Sequence, residues 1–171
     1  EVCRDGDRVW IRTSDAEDVF DYAVIATHAD QALDLLPDPS ELERQVLSRM
    51  PYQPNEAVLH TDARVLPQRR RCWAAWNYRV AGDAKRPLAV TYNMSMLQGL
   101  ETREPICVTL NDSSSIASDK IIARYQYHHP IYTLEGERAR ARWKDISGVR
   151  RTHFCGAYWG NGFHEDGVVS A

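Results

Sequence analysis

The chain has 171 residues, of which 43% are hydrophobic and 26% are charged, and its formal net charge is -3. This length and composition suit one globular domain with a hydrophobic core, and the charge provides no basic field that would attract nucleic acid. No apolar run approaches the roughly 20 residues that span a bilayer, and no apolar signal segment opens the chain. The four cysteines form no CxxC pair, which favours free thiols in a reducing cytoplasm and no metal site.

The first predicted elements are a hairpin and a buried strand. Residues 1–4 and 8–13 form two short β-segments around Asp5-Gly6, a strong hairpin turn signal. The chain is therefore expected to start inside a strand. Residues 22–26 are apolar throughout, which predicts a strand that is buried on both faces.

Two helices are predicted next. The first covers residues 30–36 and ends at the following proline. The second begins after Asp38, a residue type that caps helices, with Pro39 in the first helical position. Its apolar residues recur every four positions and therefore share one face.

The middle of the chain is rich in predicted strands, because β-branched and aromatic residues lie there between turn signals. The five strand segments cover residues 56–61, 72–80, 88–94, 105–111 and 120–127. A hairpin-like loop over 80–87 joins two of them, and a helix over 134–146 follows. A last strand over 151–158 leads into a glycine-rich turn and a new helix. This order predicts an α+β fold with a mostly antiparallel sheet and flanking helices.

The segment after the last predicted strand carries four glycines, at positions 156, 160, 162 and 167. A strand, a glycine-rich turn and a helix start together present free backbone N–H groups to an anion or a carbonyl. Tyr158, Trp159 and Phe163 could add flat contact area. The side chains of residues 164–166 are candidates for acid–base chemistry, or they cap the helix. The alternative for the whole segment is a structural turn with packed aromatic residues.

Two further groups have a structural and a functional interpretation. The consecutive arginines 69–71 form a solvated loop, or they contact an anionic substrate or partner. Trp73, Trp76 and Tyr78 are spaced so that they are predicted to share one face of a strand. They are either packing residues or a substrate wall.

Four segments carry a family resemblance: FDYAVIATHADQALDLL (20–36), WAAWNY (73–78), VTYNMSMLQGL (90–100) and RTHFCGAYWGNGFHEDGVVSA (151–171). They resemble the C-terminal portion of flavin-containing amine-oxidase-like oxidoreductases, in particular bacterial predicted NAD/FAD-binding proteins. The first is similar to a strand that ends near FAD, the next two to substrate-domain strands, and the last to the closing FAD motif. The family binds the ADP half of FAD through an N-terminal βαβ unit with GxGxxG. No GxGxxG occurs in this sequence, so the chain is expected to be a fragment of a longer protein.

The resemblance implies three parts. They are a hairpin and strand that return to a Rossmann-like FAD domain (1–28), a substrate domain (29–150) and a truncated closing FAD-binding motif (151–171). The missing N-terminal part of the FAD domain and a small-molecule substrate are the implied partners. Because the fragment would expose the apolar face that this part covers, self-association is also expected.

The resemblance also implies site residues. Backbone N–H groups at the start of the last helix would face the pyrimidine edge of the flavin, and the preceding turn would approach its ribityl and phosphate region. The implied cofactor-binding residues are Ala26, Thr27, Cys155, Gly156, Ala157, Phe163, His164, Glu165, Asp166, Gly167 and Val168. The implied substrate-binding residues are Trp73, Trp76, Tyr158 and Trp159. No lysine here matches the one that amine oxidases carry near flavin N5, so the catalytic residues stay unassigned.

The predicted function is that of a substrate-binding and FAD-contacting fragment of an oxidoreductase. The intact protein would transfer a hydride from an amine, or from a lipid or isoprenoid, to flavin N5. We expect the fragment alone to be inactive and to hold FAD weakly, because the pyrophosphate and adenine sites lie outside it. The alternative is a non-catalytic α+β module that binds a ligand or a partner on its antiparallel sheet.

Overall fold

This computed structural model describes residues 1–80 and 88–171. The predicted loop over 80–87 lies outside the described residues, apart from Val80. The chain divides into two compact units. The first unit comprises Glu1–Gln53 and Pro130–Ala171, and the second unit comprises Pro54–His129. These boundaries fall inside the segment 29–150, and the assignment of functional domains stays a prediction.

The described residues contain ten strands and six α-helices. The strands are β1 (Val2–Asp5), β2 (Arg8–Arg12), β3 (Glu17–Phe20), β4 (Ala23–Ile25), β5 (Tyr52–His60), β6 (Trp76–Arg79), β7 (Ala89–Asn93), β8 (Cys107–Leu110), β9 (Ile121–Pro130) and β10 (Thr152–Phe154). The helices are α1 (Ala29–Leu35), α2 (Glu41–Leu47), α3 (Met94–Leu97), α4 (Leu134–Arg140), α5 (Trp143–Ile146) and α6 (His164–Val169).

The first unit contains a three-stranded antiparallel meander and a two-stranded parallel sheet. β1, β2 and β3 pair in that order, and the turn between β1 and β2 contains Gly6 at a φ of 36°. The hairpin prediction is therefore confirmed. β4 pairs in parallel with β10, so that Ala23 lies opposite Thr152 and Ile25 lies opposite Phe154.

The prediction of a strand buried on both faces over 22–26 is wrong. Ala23 and Ile25 are buried, but Val24 between them is 60% exposed. Side chains alternate across a strand, and within the described residues only one face of the β4–β10 sheet is covered. The sequence pattern also did not predict β3, whose residues are all exposed and show no alternation.

Helix α1 forms as predicted, but α2 begins at Glu41 and not directly after Asp38. Ser40 is the N-cap residue. Its Oγ accepts a hydrogen bond from the Glu43 N–H at 3.2 Å, and the Glu43 carboxylate accepts one from the Ser40 N–H at 2.6 Å. This capping box satisfies both donors, while Asp38 pairs with two arginines instead. The helix predicted over 134–146 is two helices, α4 and α5, because the α-helical run is interrupted after Arg140.

The core of the first unit draws on both segments of its chain. Its buried members include Val2, Val9, Ile25, Ala32, Leu47, Ile146 and Phe154. A buried ion pair lies beside this core. Arg4 from β1 and Glu43 from α2 are joined by an Nη1–Oε1 contact of 2.5 Å, and their side chains are 1% and 2% exposed. The pair therefore ties the meander to α2.

The second unit contains a five-stranded antiparallel sheet in the order β6-β7-β8-β5-β9. Thr109 in β8 lies opposite Thr91 on one side and opposite Val58 on the other. β5 and β9 are neighbours, and they lead into and out of the second unit. The fold is therefore α+β with a mostly antiparallel sheet, as predicted. In the part of the chain that the structure describes, no helix is long and apolar enough to cross a membrane.

The strand predicted over 72–80 is shorter than expected, because β6 covers only Trp76–Arg79. The Ala74 N–H donates to Asn77 Oδ1 at 3.1 Å, and Asn77 Nδ2 donates to the Ala74 carbonyl at 2.7 Å. These bonds make a local turn before the strand. Trp73 therefore precedes the strand and does not share a strand face with Trp76, which corrects that prediction. Even in a continuous strand, side chains three residues apart would point to opposite faces.

Candidate functional site

Two predicted cofactor segments meet in the first unit. β4 and β10 lie side by side and are followed by Ala26 and Thr27 in one case and by Cys155 and Gly156 in the other. The Cys155 N–H donates to the Ile25 carbonyl at 3.1 Å, which holds the two strand ends together. In open α/β sheets, ligands bind beyond the carboxyl ends of parallel strands. The fold therefore brings these segments together where a ligand can contact both.

The turn after β10 is held by its own hydrogen bonds. The Gly156 N–H donates to Ser170 Oγ at 2.9 Å. The N–H groups of Asn161 and Phe163 both donate to the Asp166 carboxylate at 2.9 Å. Asp166 therefore caps the turn and the start of α6, and these three N–H groups are already used.

Close packing explains three of the four glycines. A Cβ atom at Gly156 would lie 2.4 Å from the Tyr158 ring, and one at Gly160 would lie 2.4 Å from Asp166 Oδ1. Any larger residue would force these neighbours to move. At Gly162, whose φ is 89°, a Cβ atom would lie 2.5 Å from the Tyr132 Oη. The turn therefore requires glycine at all three positions for its own packing and backbone conformation.

The start of α6 offers two further donors. The N–H groups of His164 and Glu165 have no acceptor within residues 1–80 and 88–171. Those of Asp166 and Gly167 donate to the Phe163 carbonyl at 3.1 and 3.3 Å. The two donors at His164 and Glu165 are therefore open to an external acceptor, and two acidic residues lie in the same turn.

The predicted cofactor residues differ in exposure. Ala26, Phe163, His164, Glu165 and Val168 are exposed, whereas Thr27, Gly156, Ala157, Asp166 and Gly167 are half-buried. Cys155 is buried, and burial raises the pKa of its thiol. The thiol form therefore predominates at neutral pH, which favours a packing role.

Tyr158, a predicted substrate contact, lies in the core and is 4% exposed. Burial raises its pKa above the ordinary tyrosine value. Its Oη and the Nε1 of the neighbouring Trp159 are buried and make no well-aligned hydrogen bond with the described residues, although the Trp159 N–H lies near enough to the Tyr158 hydroxyl to oppose the rise of its pKa. A cavity of about 10 Å³ beside Tyr158 has room for about one water molecule. The substrate role of both residues stays a prediction that burial of Tyr158 does not favour.

The other two predicted substrate contacts belong to the second unit. Trp73 Nε1 donates to the Pro67 carbonyl at 2.8 Å, and the Arg70 guanidinium lies 5.2 Å from the Trp73 ring centroid. Trp76 is 46% exposed and packs edge-on against Tyr92 at 5.6 Å. The structure therefore places the two tryptophans in different local environments.

A buried polar network in the second unit was not predicted. The Asp62 N–H donates to His60 Nδ1 at 3.0 Å, so the His60 proton lies on Nε2, which is 2.8 Å from Thr109 Oγ1. Thr109 Oγ1 is in turn 2.8 Å from Thr91 Oγ1. Burial lowers the pKa of His60, which keeps the imidazole neutral. These residues come from separate strands, and no sequence motif relates them.

Asp62 continues this network to the surface. Its side chain is 3% exposed, and its carboxylate accepts from the Arg64 Nη2 at 2.6 Å and from the Ala117 N–H at 2.8 Å. The hydrogen bonds from Arg64 hold the pKa of Asp62 well below its usual range. Arg64 is thereby fixed at a cleft of the second unit. The bond between Asp62 and Arg64 has one signal in the sequence. It is an acidic residue that follows a strand and lies two residues before an arginine.

The fold is shared with parts of larger enzymes. No family model matches the chain, and no curated protein matches it. It is similar to a CLA-producing fatty acid isomerase from P. acnes, with a TM-score of 0.64 and 16% identity over 97% of this chain and 43% of that chain. It is also similar to a cyclohexylamine oxidase from Brevibacterium oxydans IH-35A, with a TM-score of 0.58 and 11% identity over 99% of this chain and 45% of that chain.

The chain therefore spans less than half the length of each of these two proteins. At such identities the likeness establishes the fold and does not by itself establish an activity.

Proposed function

We propose that the chain is the substrate-binding and cofactor-contacting part of an FAD-dependent oxidoreductase, which transfers a hydride from a small-molecule substrate to flavin N5. The observation that carries this proposal is the fold likeness over 97–99% of the chain to parts of an isomerase and an oxidase. One of these proteins acts on a fatty acid and the other is named for an amine. A lipid and an amine are therefore the two substrate classes that the proposal includes.

The β4–β10 sheet supports the proposal. Parallel sheets in proteins are normally covered on both faces, and a sheet of two strands is marginally stable alone. Here Val24 and His153 lie opposite each other on the exposed face. Among the described residues no third strand pairs with β4 or β10. The rest of a Rossmann-like FAD domain is the proposed cover for this face.

The strand ends and the start of α6 fit one edge of a cofactor site. The N–H groups of His164 and Glu165 would donate to the flavin pyrimidine edge, and Ala26, Thr27 and Cys155 would pack beside the cofactor. FAD would supply the hydride acceptor. Because most of the other turn donors are used internally, this chain alone is expected to hold FAD weakly.

The test is a flavin titration, read by quenching of flavin fluorescence, of this chain and of the product of the complete reading frame that encodes it. We expect only the complete product to bind and turn yellow, and we expect a GxGxxG to be encoded upstream of Glu1. Substitution of that motif should abolish the yellow colour without unfolding the protein.

A complete product that binds no flavin would overturn the proposal. The non-catalytic binding module would then be the better interpretation, and its ligand would have to be sought on the second unit. A reading frame that starts at or near Glu1 would likewise favour the non-catalytic binding module.

A further inference from the structure

The second unit contains a cleft with a charged half and a second half, called the uncharged half, in which the one charged lining residue is Arg70 at the boundary of the two. The charged half has a volume of about 640 Å³, and the uncharged half has a volume of about 320 Å³. Both halves are lined by Arg70, Trp73 and Pro105, so they adjoin at these three residues. Their sizes are in the range of small-molecule sites, roughly 300–1,000 Å³. We call the two halves together the Arg70–Trp73 cleft.

Two cations in the charged half are free to bind a ligand. Four cationic and three acidic residues line this half, which leaves a formal charge of +1. Arg64 pairs with Asp62, and Lys120 pairs with Glu104. Arg70 and Arg103 also line the charged half. Neither has an ion pair with the part of the chain that the structure describes, and Arg103 lies only near enough to Glu104 to help lower the pKa of that carboxyl.

Trp73 contacts Arg70. The indole N–H is bound to the Pro67 carbonyl, which fixes the ring, and the Arg70 guanidinium lies over that ring. A stacked guanidinium keeps its in-plane N–H groups available for an oxyanion. Of the three consecutive arginines 69–71, only Arg70 lines the cleft. Arg70 is therefore the one arginine of the three that can contact a ligand in this cleft.

The uncharged half offers apolar contacts next to these cations. Met96 and Leu100 line it and are 50% and 40% exposed. Ser95 and Thr102 also line it and contribute hydroxyl groups, which bond to each other at 2.9 Å. An apolar surface beside two free guanidinium groups is complementary to a molecule with an acidic head and an apolar tail.

We propose that the Arg70–Trp73 cleft binds an amphipathic monocarboxylate. Its head contacts Arg70 and Arg103, and its tail packs on Trp73, Met96 and Leu100. The formal charge of +1 matches one carboxylate better than a doubly charged phosphate ester. This site lies wholly within the second unit and does not depend on flavin binding.

The test is calorimetric titration of the chain with decanoate below its micelle concentration. Decanol, which lacks the charge, and acetate, which lacks the tail, are the comparison ligands. We expect decanoate to bind and both others to bind at least about tenfold more weakly. Arg70→Gln and Arg103→Gln should each weaken decanoate binding by about tenfold, since each removes a charge-assisted hydrogen bond.

Arg71→Gln is the matched control, because Arg71 is an exposed neighbour of Arg70 that does not line the cleft. It should leave decanoate binding within about twofold. The proposal is overturned if decanoate does not bind, or if acetate or decanol binds equally well. An equal loss in Arg71→Gln would also overturn it, because binding would then follow net charge alone.

Discussion

Asp62 is the residue on which the geometry of its loop depends, because its buried carboxylate bonds to Arg64 and to the Ala117 N–H. Asp62→Asn is expected to lower the free energy of unfolding by about 2 kcal/mol at neutral pH. The pKa of Asp62 is depressed in the folded state below its ordinary 3.8. Its stabilisation is therefore complete above that pH and is lost as the pH falls toward the folded-state pKa.

The difference between the native chain and Asp62→Asn should accordingly shrink below about pH 4, as measured by urea unfolding over a pH series. Asp34→Asn is the control, since Asp34 is exposed and makes no ion pair with the described residues. It should change stability by less than about 0.5 kcal/mol. A stability difference for Asp62→Asn that does not depend on pH would contradict the assignment.

Tyr158 is buried and Tyr52 is half-buried, and the two phenols differ in their hydrogen bonding. The Tyr52 hydroxyl accepts from the Ala29 N–H at 3.2 Å, and burial raises its pKa to about 12. Tyr158→Phe removes a hydroxyl that makes no well-aligned hydrogen bond with the described residues, so stability should be unchanged or slightly higher. Tyr52→Phe removes a hydroxyl that accepts a hydrogen bond, and it should lower the free energy of unfolding by about 1 kcal/mol. Thermal and urea unfolding would compare them, and a larger loss in Tyr158→Phe would reveal a hidden partner.

Arg4 and Glu43 join two elements, strand β1 and helix α2. Arg4→Met alone leaves the Glu43 carboxylate buried and is expected to cost about 3–5 kcal/mol. The double variant Arg4→Met/Glu43→Leu should cost clearly less, because no charge is left uncompensated. A double-mutant cycle of urea unfolding measures this difference.

The exposed pair Arg49–Glu135 is the control for that cycle. Its atoms approach to 2.6 Å, but both side chains are more than half exposed. Arg49→Met should therefore cost no more than about 1 kcal/mol. Additive losses in the Arg4–Glu43 cycle would contradict coupling between the meander and α2.

Local signals predicted the elements best. The Asp5-Gly6 turn and the β-rich middle of the chain depend on neighbouring residues, and these predictions are confirmed. The exposed face of Val24 could not be predicted, because burial of a short apolar strand is decided by what packs on it. Asp38 and Ser40 are both residue types that cap helices. The hydrogen bond from the Ser40 N–H to the Glu43 carboxylate makes Ser40 the N-cap residue of α2.

Only those parts of the candidate site whose residues are contiguous in the sequence could be predicted. The glycine turn and the start of α6 are recognisable in the sequence. Which backbone N–H groups of the turn are already used depends on their hydrogen bonds to the side chains of Asp166 and Ser170. The network of His60, Thr91 and Thr109 joins three strands through side chains that carry no motif. Sequence spacing alone has no information on such cross-strand contacts.

At the scale of the whole chain, each unit has its own core. Every member of the larger core cluster belongs to the first unit, and every member of the smaller one belongs to the second unit. The Ile131 N–H donates to the Pro51 carbonyl at 2.8 Å, so the two segments of the first unit lie close where they meet. Replacing residues 54–129 with a short glycine linker should therefore leave a first unit that folds, with helical circular dichroism and cooperative urea unfolding.

The same linker in place of residues 29–47 is the control for that deletion. It removes α1 and α2 with the buried Ala29, Val46 and Leu47, and it should abolish cooperative unfolding. If the chain without residues 54–129 also lost cooperative unfolding, the two cores would not be independent.

The pairing of β4 with β10 also sets an order of events during synthesis. Ala23 and Ile25 leave the ribosome early, but their partners Thr152 and Phe154 are made on the order of ten seconds later. The second unit is contiguous in the chain and can fold in that interval, whereas the first unit must wait. For that time the nascent chain carries β4 without its partner β10.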